Sequence, residues 1–181
     1  MTVTNEMLLV SVDPGKSSGG CALSYEEDSA PSLSLALQVG GGVSGFREMV
    51  SQLQEFEGAV WISEKFAPRP GAFGQSLDST LPLVCEGVLI DRGLLPEYPS
   101  NEKRWVQPAQ QYIAGGKGKA ERKKRQHALL RDTGFYRTGK DLDAPDADDF
   151  RSACAHALSW LMRTGHKLTY DMISDWNERN A

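Results

Sequence analysis

The chain has 181 residues, of which 40% are hydrophobic and 24% are charged, so it can bury one sizeable core and is expected to form a single domain over residues 1–181. These proportions exclude a disordered chain, and the lack of an apolar leader or of any apolar run of about 18 residues predicts a soluble protein rather than a secreted or membrane-spanning one. The net charge of -4 conceals a basic concentration at residues 117–125 and an acidic one at residues 141–149.

The first half of the chain predicts three strands, a helix and a fourth strand. Met7–Val12 is almost continuously apolar, as is typical of a buried central strand, and Gly19–Tyr25 and Leu33–Val39 complete an antiparallel meander. Ser44 is a plausible N-cap for a helix whose apolar residues recur at three- and four-residue spacing. Ala59–Ser63 is a second short apolar run and predicts the next strand.

The second half predicts four helices and one short strand. The segments are a helix over Leu77–Ile90, a strand at Arg104–Val106, a helix from the basic stretch to about Arg131, a helix over Ala144–Arg163 and an amphipathic helix over Leu168–Arg179. Up to Arg163 the resulting order, β-β-β-α-β-α-β-α-α, indicates an α/β fold with a five-stranded mixed sheet, three antiparallel strands followed by parallel ones, flanked by helices. Residues 166–181 are expected to be a C-terminal helical extension.

Four acidic residues stand out by their positions in these elements. Asp13 follows the first predicted strand, and Glu64 closes the fourth, where an apolar residue would be expected. Asp146 and Asp149 lie three residues apart at the start of a predicted helix and share one of its faces, whereas Asp148 points elsewhere. Each position also has a simpler explanation: a turn-forming aspartate, a strand-end acid that reaches solvent, or acids that complement a helix dipole.

Together, the four carboxylates have the composition of a two-metal site. Mg²⁺ prefers oxygen ligands, and an uncompensated cluster of acids would repel itself and lower stability. Two such ions about 3.5–4 Å apart can stabilise both the attacking water and the leaving oxygen of a phosphodiester. The three cysteines are too far apart to indicate a disulfide framework or a zinc site, and His127 and His156 lie on predicted helices without ligand spacing. The pattern favours hydrolytic phosphoryl transfer.

Four segments, in the same order, resemble those of the RuvC-type Holliday-junction resolvases. VSVDPGKSSGGCAL is similar to the first strand and turn of that family, where DPG is followed after four residues by glycine. The matching positions are Asp13, Pro14, Gly15 and Gly20. Glu64 in WISEKF is similar to the second acid, QYIAGGKGKAERKKRQH to the basic segment, and DADDFRSACAHAL to the final helix with its paired acids. The resemblance covers roughly residues 7–163.

The resemblance implies an RNase H-like fold, a homodimer with two active sites, and resolution of four-way DNA junctions by paired symmetric nicks. It implies two Mg²⁺ ions per active site, for which Mn²⁺ can substitute. The implied catalytic and metal-binding residues are Asp13, Glu64, Asp146 and Asp149. Asp148 stands where the bacterial enzymes carry a small residue and therefore competes for one ligand place. The implied setting is DNA recombination and repair in the cytoplasm of a bacterial cell or a phage-infected host cell.

The basic stretch is predicted to contact DNA, because glycines leave room for phosphates and a helix N-terminus adds donors. A solvated helix face is the alternative. By resemblance, Lys117 and Lys119 best match the DNA-binding lysines of the family, and Lys123 or Lys124 lies nearest the metals. The basic residues expected at DNA are Lys117, Lys119, Arg122, Lys123 and Lys124.

An aromatic residue near Glu64 is also expected to contact DNA. In the family, the aromatic that probes the junction centre lies three residues beyond the second acid, whereas Phe66 lies two beyond it. Phe73, in the same Pro- and Gly-rich loop, competes for this role. Either ring could stack on bases or instead pin the loop to the core.

Two other functions stay open. A related RNase H-like nuclease would use the same acids on flaps, replication forks or RNA–DNA hybrids, and substrate shape depends on loops and dimer geometry. A protein that binds branched DNA without cutting it would keep the basic stretch and have no use for the acids. The actin-like sugar kinases and ATPases, which also begin with Asp-x-Gly, need two such domains, and this chain has length for one.

Overall fold

The structure is a computed structural model that describes residues 6–66, 80–97, 103–136 and 148–181. Its strands are β1 (Met7–Asp13), β2 (Ser18–Glu26), β3 (Ser29–Val39), β4 (Val60–Glu64) and β5 (Trp105–Val106). Its helices are α1 (Gly42–Leu53), α2 (Leu81–Asp91), α3 (Lys119–Asp132), α4 (Asp149–Thr164) and α5 (Lys167–Arg179), with a 3₁₀ turn at Pro108–Gln111. Among these helices, none combines the length and apolar character needed to span a membrane.

The strands form one sheet in the order β3-β2-β1-β4-β5. β1 pairs with β2, and β2 with β3, in antiparallel fashion, whereas β4 pairs with β1 and β5 pairs with β4 in parallel. The predicted α/β fold with a mixed sheet is confirmed. β1 is central because its apolar run can be buried on both faces of the sheet.

The core has one layer on each face of the sheet. Successive side chains of a strand point to opposite faces, so Leu9 joins the cluster under α4 while Val10 joins the cluster under α1 and α2. Phe150 and Leu158 of α4 are fully buried in the first cluster. This packing fixes α4 against the strands that carry the predicted acids.

Helix α1 begins elsewhere than predicted. α1 begins at Gly42, so the prediction of Ser44 as its N-cap is wrong; the N-cap is Gly41, whose φ of 82° is a left-handed conformation that glycine adopts without strain. Within the described residues, α2 begins after the N-cap Thr80 and α4 after the N-cap Asp148, whereas the predicted starts of these helices, Leu77 and Ala144, lie outside the described residues. Helix ends are set by backbone conformation and capping, which apolar periodicity does not specify.

Strand β3 begins at Ser29, four residues earlier than the predicted start at Leu33, and it includes Pro31. A proline lacks the N–H that a ladder needs and is therefore confined to positions such as edge strands. β3 lies at the edge of the sheet, beside β2 only. Pro31 is thus compatible with a strand at this position.

Candidate active site

Three of the four predicted carboxylates lie at the end of the sheet where β1 and β4 have their carboxyl ends. Asp13 ends β1 and Glu64 ends the parallel neighbour β4, so the two strands carry their acids at the same end of the sheet. Asp13 pairs with Gly19 of β2, and Gly19 lies directly against the backbone of Asp149 at the start of α4. The fourth predicted ligand, Asp146, lies outside the described residues.

The three acids interact electrostatically. Burial raises the pKa of Asp13 well above its ordinary value, and the charges of Glu64 and Asp149 raise it further. A hydrogen bond with Ser152 and the charge of Lys123 act in the opposite direction without reversing the shift. A bound cation would relieve the repulsion that Glu64 and Asp149 exert on Asp13.

Gln38 of β3 holds Asp149 in place. Its Nε2 donates to Asp149 Oδ2 at 2.8 Å, and its Oε1 accepts the backbone N–H of Phe150 at 2.9 Å. Burial raises the pKa of Asp149, and the bonds from Gln38 and Ser17 partly offset this shift. Gln38 thus ties the first turn of α4 to the edge strand, a role that the sequence analysis did not assign to it.

Gly19 allows α4 to approach the sheet. A Cβ atom built on Gly19 would lie 2.0 Å from the carbonyl carbon of Asp149 and 2.0 Å from the nitrogen of Phe150. No side chain fits at that distance, so only glycine lets the helix start touch β2. Gly20, the glycine that matched the resolvase pattern, has less restrictive side-chain neighbours, Leu53 and Met49.

Glu64 has a histidine partner. His156 of α4 is fully buried, and its Nε2 lies 2.7 Å from Glu64 Oε2. The sequence contained a signal for this contact, since a histidine within the apolar face of a helix needs a polar partner when it is buried. The position of His156 on the helix does not have metal-ligand spacing, so spacing alone does not indicate the contact.

Asp148 faces α3 instead of the other acids. It is hydrogen-bonded by Lys123, and its Oδ1 lies 3.2 Å from Arg151 Nη1 and 3.3 Å from His127 Nε2. Burial opposes ionisation of Asp148, but the bonds and charges of these neighbours outweigh it and lower the pKa. A carboxylate already engaged by cationic side chains is a poor competitor for a metal ligand place.

Lys123 is the lysine of α3 that acts on the acids. Its charge lowers the pKa of both Asp13 and Asp149, whereas Lys124 is exposed. Of the two lysines considered from the sequence, Lys123 therefore lies nearer to the carboxylates.

The described carboxylates do not form a metal-binding geometry as placed. Over residues 6–66, 80–97, 103–136 and 148–181, no group of three or more His, Cys, Asp or Glu side chains could hold a metal ion as placed. Glu64 is bound by His156, and Asp149 by Gln38. A cation would therefore require side-chain movement or a ligand from another part of the chain.

The predicted basic segment forms the start of α3 and the turn before it. We define the basic surface as Lys117, Lys119, Arg122 and Lys124, all of which are exposed. Arg122 stacks over the ring of Tyr112, 5.6 Å from its centroid, and its Nε donates to the carbonyl of Gly116. The surface therefore presents cations on a helix start whose backbone is held in place.

Arg125, which follows the basic surface, forms its contacts with other parts of the fold. Its Nε donates to the Ala114 carbonyl at 2.7 Å and its Nη1 to the Asn180 carbonyl at 2.6 Å. Its guanidinium also lies 5.4 Å from the ring centroid of Trp176. Arg125 therefore joins α3 to the C-terminal helix α5.

Glu86 of α2 anchors the segment that follows Glu64. Its buried carboxylate accepts a hydrogen bond from the backbone N–H of Phe66. Burial raises the pKa of Glu86, while this hydrogen bond and the charge of Lys65 lower it less strongly. Phe66, one of the two aromatic candidates, is half-buried beside this anchor; Phe73 lies outside the described residues.

We expect Glu86→Gln to raise the free energy of unfolding at neutral pH by about 1 kcal/mol, because the amide oxygen still accepts the Phe66 N–H while the buried charge is removed. A raised pKa in the folded protein favours the protonated acid, so the wild type loses stability relative to the variant as pH rises above the ordinary value of 4.5. Urea unfolding at about pH 4 and pH 8 measures the difference. An equal gain at both pH values would contradict this explanation.

No protein-family model and no curated protein sequence matches the chain. Among solved structures, Thermus thermophilus RuvC is similar with a TM-score of 0.56 and 18% identity, over 88% of this chain and 98% of that one. T. thermophilus RuvC in complex with Holliday junction substrate gives a TM-score of 0.54 at 18% identity, with the same coverage. The fowlpox virus resolvase in complex with its substrate Holliday junction DNA gives 0.55 and 19%, over 88% and 99%. The chain therefore has the RNase H-like fold of the RuvC-type Holliday-junction resolvases.

Proposed function

We propose that this protein is a metal-dependent endodeoxyribonuclease that resolves four-way DNA junctions by paired symmetric nicks. The observation that carries the proposal is the meeting of Asp13, Glu64 and Asp149 at one edge of the sheet, where the acids raise the pKa of Asp13. A protein that only bound DNA would have no use for a cluster that lowers its stability. Structural similarity to resolvases solved with Holliday junction DNA supports the choice of substrate.

The chemistry of the donor set suits Mg²⁺ or Mn²⁺. Asp13, Glu64 and Asp149 offer only carboxylate oxygens, which these hard cations prefer, and their mutual repulsion would be relieved by a cation. Asp146 is the further proposed ligand, giving two ions per active site. When bound, such ions activate water and stabilise the charge that develops on the phosphodiester.

The surrounding side chains hold the acids in place and partly offset the burial that raises the pKa of Asp13 and Asp149. Gln38 orients the Asp149 carboxylate through its amide N–H, and Lys123 lowers the pKa of Asp13 and Asp149. Lys123 also joins α3, which carries the basic surface, to Asp148 at the start of α4. DNA held on that surface would therefore present its backbone close to the carboxylates.

A homodimer is part of the proposal, because two active sites related by two-fold symmetry would cut a junction symmetrically. The outward face of α2 supports this assignment. Leu83 and Val84 are 39% and 47% exposed, and Gly87, one turn further, is exposed as well. Two copies could approach closely along this stripe.

In the experiment, the purified protein is incubated with labelled nucleic-acid substrates, with and without Mg²⁺. The substrates are a four-way junction, a linear duplex, a flap and an RNA–DNA hybrid. We expect Mg²⁺-dependent nicks at symmetric positions of the junction and much weaker cutting of the other substrates. Preferential cutting of flaps or hybrids would show that the protein is a nuclease with a different substrate. Tight junction binding with no cutting of any substrate would favour the non-cutting alternative.

The basic surface should contribute to junction binding through phosphate contacts. We expect Lys119→Ala and Lys124→Ala each to weaken binding and to lower the slope of log affinity against log salt by about one. Fluorescence anisotropy over a salt series, in EDTA to prevent cutting, measures both quantities. Arg131→Ala is the control, because Arg131 is 70% exposed at the opposite end of α3. An equal change of slope in the control would argue against a localised surface.

A further inference from the structure

The contact between His156 and Glu64 links α4 to the buried side of the site. His156 lies seven residues after Asp149, and this spacing places both on the face of α4 that meets the sheet. Its side chain is completely buried, whereas that of Glu64 is 20% exposed. Glu64 therefore has a buried side occupied by His156 and an open side available to solvent.

The hydrogen bond has a defined direction. An ionised carboxylate only accepts, so the Nε2 of His156 must donate its N–H to Glu64 Oε2, at 2.7 Å. Within the described part of the chain, the other ring nitrogen, Nδ1, is buried and has no hydrogen-bond partner. The one polar contact that His156 makes there is with the candidate ligand.

His166 shows what a structural histidine looks like in the same protein. Its Nδ1 lies 2.6 Å from Thr169 Oγ1, and its Nε2 lies 2.7 Å from the carbonyl of Glu26. Both of its ring nitrogens are therefore engaged in holding the start of α5. His156 instead directs its single hydrogen bond at a site carboxylate.

We propose that His156 is a positioning residue that fixes Glu64 for cation binding. Its N–H bonds to Oε2 and would leave Oε1 free to bind a cation. Hydrogen bonds that hold a ligating carboxylate in this way typically change metal affinity about 10- to 100-fold. The inference rests on the proposed function, since it requires that Glu64 is a metal ligand.

The test measures Mn²⁺ binding by electron paramagnetic resonance titration of the whole protein, without DNA. We expect His156→Leu, which removes the donor, to weaken Mn²⁺ binding about 10- to 100-fold. His156→Gln retains an amide N–H at a similar reach and should bind within a few-fold of wild type. His166→Gln, the matched control, should lower the melting temperature and leave Mn²⁺ binding unchanged.

The outcomes separate the two proposals. Wild-type protein that binds Mn²⁺ together with His156→Leu that binds it equally well would overturn the positioning role alone. Equal losses in the Leu and Gln variants would also overturn it, because the donor would then not be the deciding group. Failure of the wild type to bind Mn²⁺ would overturn the metal-dependent function as well. If His156→Leu does not fold, His156→Met removes the donor with a more adaptable side chain and is held to the same criteria.

Discussion

Asp13→Asn should reduce cleavage by about 10³-fold or more and at the same time stabilise the metal-free protein. Cleavage falls because the central carboxylate of the site is lost. Stability rises because the change removes a partly buried charge that Glu64 and Asp149 repel. Single-turnover cleavage of a junction and thermal unfolding in EDTA measure the two effects, and we expect a gain of roughly 1–2 kcal/mol.

Asp28→Asn is the matched control, because Asp28 is exposed in the turn between β2 and β3. It should change neither cleavage nor stability by a measurable amount. Undiminished cleavage by Asp13→Asn would refute the assignment of the active site. A metal-free Asp13→Asn protein less stable than wild type would refute the electrostatic explanation and leave the catalytic one standing.

Gly19→Ala should destabilise the protein by several kcal/mol, roughly 3 or more, and should nearly abolish cleavage. The added methyl group would lie 2.0 Å from backbone atoms of Asp149 and Phe150, so α4 must move away from β2. Asp149 would move with it, and a displacement of about 1 Å at a reacting group can cost about 10²-fold in rate. Urea unfolding and junction cleavage measure the two losses.

Gly40→Ala provides the comparison for this change. Gly40 follows β3, and a Cβ atom there would meet nothing within 4 Å. We expect its stability to stay within about 0.5 kcal/mol of wild type. If Gly19→Ala behaved like Gly40→Ala, the close approach of α4 to the sheet could not be what positions Asp149.

Asp13 and Glu64 could be predicted as a pair because strand ends are a local property. An apolar run that stops at an acid marks where the chain leaves the sheet, and parallel neighbours bring such ends to one edge. The central position of β1 follows equally from the composition of Met7–Val12. These parts of the fold and the site depend on residues close together in sequence.

Gln38 and Gly19 could not be recognised in the same way. Gln38 alternates with apolar residues as any solvent-facing residue of an edge strand would, and its partner Asp149 is 111 residues away. The importance of Gly19 depends on which helix packs over β2, a tertiary fact that strand composition does not contain. The contacts of Asp148 could be predicted only from the position of α3, because its partner Lys123 lies 25 residues earlier in the chain.

The two edges of the sheet also bear on how copies of the protein associate. An exposed strand edge invites pairing with another chain, and proteins protect such edges with proline, irregular pairing or very short strands. β3 contains Pro31 and pairs with β2 through register shifts, and β5 spans only two residues. Both edges are thus poor templates for aggregation through backbone pairing. Association is left to side-chain surfaces such as the outer face of α2.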